Sequence, residues 1–172
     1  LVQSGELGEI QRVNYIITNW FRPECYYRSG GWRATWAGEG GGVLMNQCPH
    51  NLDLLQWIVG MMPSRVTASI GWGRYHDIEV EDDVTALLEY PNGASGVFVT
   101  TTGEAPGTCR LELAGDRGKV VLEHNLEFIK TEVSVKEFSQ TTQEAFGAPP
   151  TWTCEFNGHN QGWGGQHCEV LQ

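Results

Sequence analysis

Basic residues are scarce in this chain. Lys and Arg number 11 against 21 Asp and Glu in 172 residues, a formal charge of −10. That balance leaves no basic face to neutralise phosphates and excludes a nucleic-acid partner. Long apolar runs are also missing. Gly, Pro or polar residues break each one well short of the ~20 apolar residues that span a bilayer, so no membrane partner is expected. The opening Leu1-Val2-Gln3-Ser4-Gly5-Glu6 has neither the basic region nor the apolar core of a secretion signal. Cysteines are few and scattered, at positions 25, 48, 109, 154 and 168. An odd count without C-x-x-C argues against a disulfide framework or zinc ribbon, and for reduced thiols in a cytoplasmic protein. Cys154, His159, His167 and Cys168 gather near the C-terminus, but adjacent His167 and Cys168 rarely point at one metal, and no metal is expected there. P-loop, G-x-S-x-G and H-E-x-x-H patterns are absent.

What remains is a folding chain, 40% hydrophobic and 19% charged. Its length suggests one domain. Glycine is frequent, 22 residues, against a usual ~7%, so several turns or close backbone approaches are expected. Seven tryptophans can fill a core or floor a sugar pocket.

Alternating apolar residues predict strands over 11–18, 65–72, 83–90, 95–102, 109–114 and 119–123, with another within 126–135. Pro91-Asn92-Gly93-Ala94 and Gly115-Asp116-Arg117-Gly118 read as hairpin turns. Consecutive strands with tight turns predict an antiparallel meander of six or more strands. The fold class is α+β: a large, mostly antiparallel sheet with helices on one face and the other face available for oligomerisation. Residues 139–165 read as irregular, and 166–172 as the opening turns of a helix. The acidic run Glu79, Glu81, Asp82, Asp83 reads as a solvated turn, and His76, His124, His159 and His167 as surface residues.

Residues 19–42 form a long loop in which Trp20, Arg22, Tyr26, Tyr27, Trp32 and Arg33 interleave aromatic and basic character. A loop of this kind is either functional or a surface cover over the strands. A helix follows, beginning near Met45 to Gln47, with Pro49 in its first turn and Gly60 as its stop. The spacing places Asn46, His50, Asp53 and Trp57 in a row along one side. His50 is the best candidate for chemistry, because imidazole exchanges a proton near neutral pH. The alternative is a histidine packed at a helix start. Asp53, one turn on, either orients the imidazole or forms a cap or salt bridge.

Gly31-Trp32-Arg33, then Gly40-Gly41-Gly42-Val43-Leu44-Met45-Asn46-Gln47-Cys48-Pro49-His50-Asn51-Leu52-Asp53, then Trp57-Ile58-Val59-Gly60 resemble the C-terminal domain of the Gfo/Idh/MocA family of NAD(P)-dependent oxidoreductases. The resemblance implies that residues 1–172 are a substrate-binding and oligomerisation domain cut from a longer chain. A dinucleotide-binding domain with G-x-G-x-x-G and a catalytic Lys would precede residue 1, so this piece alone would be inactive. It implies NAD or NADP as cofactor and a sugar or cyclitol such as inositol as substrate. It implies that His50 moves the hydroxyl proton and that Arg33, beside Trp32, lines the substrate side. Asn46 stands where the family usually has Asp; it cannot ionise, but can still bind a sugar hydroxyl, and Asp53 completes the motif. A homo-oligomer, dimer or tetramer, would form through the sheet face. The alternatives are a non-catalytic carbohydrate-binding module or an oligomerisation or regulatory scaffold descended from such an enzyme.

Overall fold

The computed structural model describes residues 1–156. The element order is β1 (Ile10–Ile17), α1 (Glu24–Arg28), α2 (Val43–Asn46), α3 (Pro49–Val59), β2 (Arg65–Trp72), β3 (Glu81–Glu89), β4 (Ser95–Thr101), β5 (Cys109–Gly115), β6 (Gly118–Leu122), β7 (Leu126–Thr131), α4 (Val135–Thr141) and β8 (Thr151–Phe156). All the strands among the described residues join one sheet, in the order β2-β3-β4-β1-β5-β6-β7-β8. The expected single meander is therefore two, β2-β3-β4 and β5-β6-β7-β8, with β1 between them. β1 runs parallel to β4, Tyr15 opposite Phe98, and antiparallel to β5, Tyr15 opposite Leu111. The chain crosses the end of β1 over residues 102–108. There Thr18 N donates to Thr108 O (2.7 Å) and Thr108 N to Thr18 Oγ1 (2.8 Å).

Period-two alternation decides which face is buried. Val13, Tyr15 and Ile17 of β1, Val84, Ala86 and Leu88 of β3, Phe98 of β4, and Leu111 and Leu113 of β5 point inward. Leu55 and Val59 of α3 meet them in one core, with Leu52 and Ile58 packed at its edge. The opposite face carries Arg12, Asn14, Leu87, Val97, Arg110 and Glu112, and none of the described helices covers it. Leu87 is 56% exposed there.

Two hairpins form where expected. At the first, Gly93 takes φ 86° and Asn92 Oδ1 accepts from Ala94 N (3.0 Å). Asn92 Nδ2 also donates to Ile10 O (2.9 Å), tying this turn to the start of β1. The region expected to be irregular, 139–165, instead holds the end of α4 and, from Thr151, β8. Ser134 Oγ accepts from Glu137 N (3.0 Å) and caps α4, the S-x-x-E pattern of a capping box. Among the described residues no helix is long and apolar enough to cross a membrane. The helix expected over 166–172 lies outside the described residues.

Candidate functional site

The expected long helix is broken in two. Pro49 has no N–H to continue a helix, and its ring disfavours helical geometry at the residue before it. Cys48 accordingly takes φ −104°, ψ 0°, and α3 starts afresh with Pro49 in its first turn. It ends at Gly60, which takes the left-handed φ of 75°. The predicted row is thus corrected: His50, Asp53 and Trp57 share α3, whereas Asn46 belongs to α2. The corner between the two helices is pinned to the sheet. Cys48 Sγ and Thr100 Oγ1 share a hydrogen bond of 3.0 Å to β4, and Asn51 Nδ2 donates to Tyr15 Oη (3.0 Å) on β1. Burial pushes the Cys48 thiol up to about 11. These anchors present His50, whose side chain is exposed, at the start of α3.

The acidic run differs from expectation. Glu81 and Asp82 are buried, not solvated. Glu81 accepts from Gly42 N (2.9 Å) and Leu44 N (3.1 Å), holding the start of α2. Gly42 is required, since a Cβ there would lie 1.8 Å from Glu81 O. Asp82 accepts from Arg74 N (2.8 Å), Tyr75 N (2.8 Å) and His76 N (3.1 Å). His76 is buried rather than on the surface; Nδ1 lies 3.0 Å from Asp82 Oδ2 and Nε2 2.7 Å from Arg22 O. Carboxylates with this many backbone donors are cheaper to bury than their charge suggests.

Tyr26 and Tyr27 of α1 face different partners. Tyr27 Oη donates to Thr102 Oγ1 (2.8 Å), and burial pushes this phenol up to about 12. Tyr26 Oη accepts from Arg33 Nη1 (2.8 Å) and donates to Asn46 Oδ1 (3.3 Å). The Arg33 guanidinium carbon lies 4.5 Å from the ring centroids of both Tyr26 and Trp32. Arg22 stacks over Tyr26 (5.1 Å) and Trp20 (5.6 Å), and Trp20 meets the His50 ring edge-to-face at 5.9 Å. A continuous chain of rings and guanidinium groups therefore runs from His50 through Trp20, Arg22 and Tyr26 to Arg33 and Trp32. Asn46 joins it through Tyr26. Asp53 is exposed on α3.

The sequence reading named Tyr26 only as part of an aromatic loop and passed over Glu39 and Gln47. A charged residue inside a glycine run, Gly38-Glu39-Gly40, was the available signal for Glu39. A cavity of about 550 Å³ opens beside Arg33, lined by Tyr27, Arg28, Arg33, Thr35, Asp77 and Glu79; His50 is not on its wall.

Among the described residues no group of three or more His, Cys, Asp or Glu could hold a metal ion, and Cys25, Cys48, Cys109 and Cys154 are free thiols. His159, His167 and Cys168 lie outside the described residues. Nor do the described residues fit the phosphates of a dinucleotide. That group takes a glycine-rich turn between a strand and a long helix. Here the glycine run Gly40 to Gly42 leads into a four-residue helix, and its Gly42 and Leu44 N–H groups are already held by Glu81.

The candidate residues thus sit on a large, mostly antiparallel sheet with a histidine-bearing helix on one face. Residues 1–121 match the GFO/IDH/MocA C-terminal domain, and the chain belongs to that family. It is 33% identical over 130 residues to the trans-1,2-dihydrobenzene-1,2-diol dehydrogenase of Bos taurus, covering 73% of this chain and 35% of that protein. Among solved structures, the WlbA dehydrogenase from Chromobacterium violaceum, in complex with NADH and UDP-GlcNAcA, is 35% identical with a TM-score of 0.63, over 70% of this chain and 34% of that one. Levoglucosan dehydrogenase, in complex with NADH and L-sorbose, shares the fold at 19% identity and a TM-score of 0.63, over 90% of this chain and 42% of that one. The chain spans about a third of the length of the first two.

Proposed function

We propose that this domain is the substrate side of an NAD(P)-dependent oxidoreductase acting on a hydroxyl-bearing carbon of a sugar or cyclitol. One observation carries the reading: the unbroken chain of contacts from His50 to Arg33, with His50 open to solvent at one end and Trp32 half-exposed at the other. A nicotinamide, when bound, supplies hydride exchange. The described residues offer its phosphates no cradle, so a separate dinucleotide-binding domain is part of this proposal. This chain's own contribution is the proton and the orientation. His50 Nδ1 or Nε2 takes the hydroxyl proton as the alcohol is oxidised and returns it in reduction. The Arg33 guanidinium, with Nη1 on Tyr26, directs its other N–H groups to substrate oxygens. Trp32 offers an apolar ring face suited to a sugar. Asn46 borders the same network.

The relatives support the class: the Bos taurus protein and WlbA each carry the name dehydrogenase, and WlbA was solved with NADH and UDP-GlcNAcA. The free thiols fit a reducing, cytoplasmic setting. The open sheet face suits a homo-oligomer, dimer or tetramer.

The test uses the full-length protein with NAD⁺ and NADP⁺ and a panel of aldoses, nucleotide sugars, cyclitols and a trans-dihydrodiol. Turnover of at least one polyol is expected. His50→Ala lowers kcat by about 100-fold or more, the range for loss of a general base, with KM little changed. Unchanged turnover removes His50 from the chemistry. Cofactor binding without oxidation of any polyol supports the scaffold reading instead.

A further inference from the structure

The amide at position 46 is explained by its neighbours. Asn46 Nδ2 donates to Glu39 Oε1. Its Oδ1 accepts from Gln47 Nε2 (2.7 Å) and Tyr26 Oη (3.3 Å). Two donors face the oxygen and a carboxylate faces the nitrogen, which fixes the amide's orientation. The other Glu39 oxygen accepts from Ala34 N at 2.7 Å. Ala34 is buried and takes φ 51°, the left-handed region that residues with a Cβ seldom occupy. It directly follows Arg33, so whatever holds Ala34 in this conformation also sets where the Arg33 side chain departs from the loop.

We infer that Glu39 is a positioning residue of the substrate site. Its carboxylate grips the Ala34 N–H with one oxygen and the Asn46 amide with the other, and so keeps the Arg33 guanidinium on Tyr26. The inference rests on the reading of Arg33 as a substrate-side group. It also makes residues 39 and 46 a matched pair: with a carboxylate at 39, position 46 must both donate and accept, which an amide can do and a carboxylate cannot. Asn46 is therefore fitted to the carboxylate beside it. The pair should tolerate exchange. With an amide at 39 and a carboxylate at 46, the new amide's oxygen accepts from Ala34 N and its nitrogen donates to position 46, whose other oxygen still accepts from Tyr26 and Gln47.

The experiment compares Glu39→Ala, Asn46→Asp and the double variant Glu39→Gln/Asn46→Asp in the full-length protein. Without substrate, hydrogen exchange of the Ala34 amide rises about tenfold or more in both single variants and returns to within about twofold of wild type in the double. With the polyol that the wild type oxidises fastest in the panel above, KM rises about tenfold in the singles while kcat changes far less, and the double restores KM. Failure of the double to restore exchange overturns the pairing. Restored exchange with no KM change in either single variant overturns the positioning role. If the wild type oxidises nothing in the panel, the dehydrogenase reading has failed, and the exchange measurements by themselves decide whether the clamp exists.

Discussion

Replacing Glu81 by alanine removes the only side-chain acceptor for two backbone donors, Gly42 N at 2.9 Å and Leu44 N at 3.1 Å. Glu81 is 5% exposed and Gly42 is buried against its backbone. Each buried donor left unpaired costs roughly 1–3 kcal/mol, more where the lost acceptor was charged. Some water will enter the space left by the side chain, so the sum for two donors is about 2–5 kcal/mol, a large share of a domain's usual ~5–15 kcal/mol. Glu81→Gln keeps one acceptor oxygen and turns an N–H toward the second donor, which predicts a smaller loss of about 1–3 kcal/mol. Urea unfolding followed by tryptophan fluorescence should rank wild type above glutamine above alanine. Because α2 carries Asn46, the alanine variant should also raise KM. If Glu81→Ala stays within about 0.5 kcal/mol of wild type, the carboxylate does not hold α2 and the account of how Asn46 is placed is wrong.

Leu87→Asp puts a charge on the open sheet face; sedimentation should show a smaller assembly than wild type, and a wild type that is already monomeric would defeat the oligomer proposal. Alkaline pH should destabilise the fold. Burial raises Cys48 from 9.0 to about 11 and Tyr27 from 10.0 to about 12, so the folded state favours both neutral forms. Their contribution is full below about pH 9 and is lost as pH climbs toward about 12, and melting temperatures across that window check it. In the folded protein at pH 8, iodoacetamide should label exposed Cys25 and spare Cys48, with Cys48 labelled only after urea is added. Gly42→Ala would press a Cβ against Glu81 O at 1.8 Å and should give insoluble or strongly destabilised protein.

Much of the fold was legible because alternation and turn chemistry are local. The strand predicted over 65–72 is β2 to the residue, and Gly60 stops α3 as its φ requires. The place of β1 was not legible, since nothing within residues 10–17 says that their partners lie at 95–100 and 109–115. Pro49 was read as tolerable in a first turn, which is right for α3, but its effect on the residue before it divides the helix. Ser134 and Glu137 spelled out a cap that was overlooked. β8 was missed because Thr151-Trp152-Thr153 follows two prolines and forms a strand only against β7. Glu81, Asp82 and His76 were misjudged for one reason: charge was counted, whereas burial depends on how many donors a neighbouring turn supplies. The sequence names His50, Arg33 and Trp32 as candidates but not the wiring that joins them through Tyr26 and Glu39, which depends on contacts across loops.

The position of β1 bears on how the chain assembles. Its first strand must be flanked by segments made some eighty to a hundred residues later, so neither half of the sheet can be joined to the other until both ends of that span exist. Topologies dominated by such distant pairings fold slowly. While synthesis proceeds, Val13, Tyr15 and Ile17 would stay uncovered, and the two hairpin arrays would form first as separate leaves. Deleting the first twenty residues should therefore leave two unconnected half-sheets rather than a slightly smaller domain.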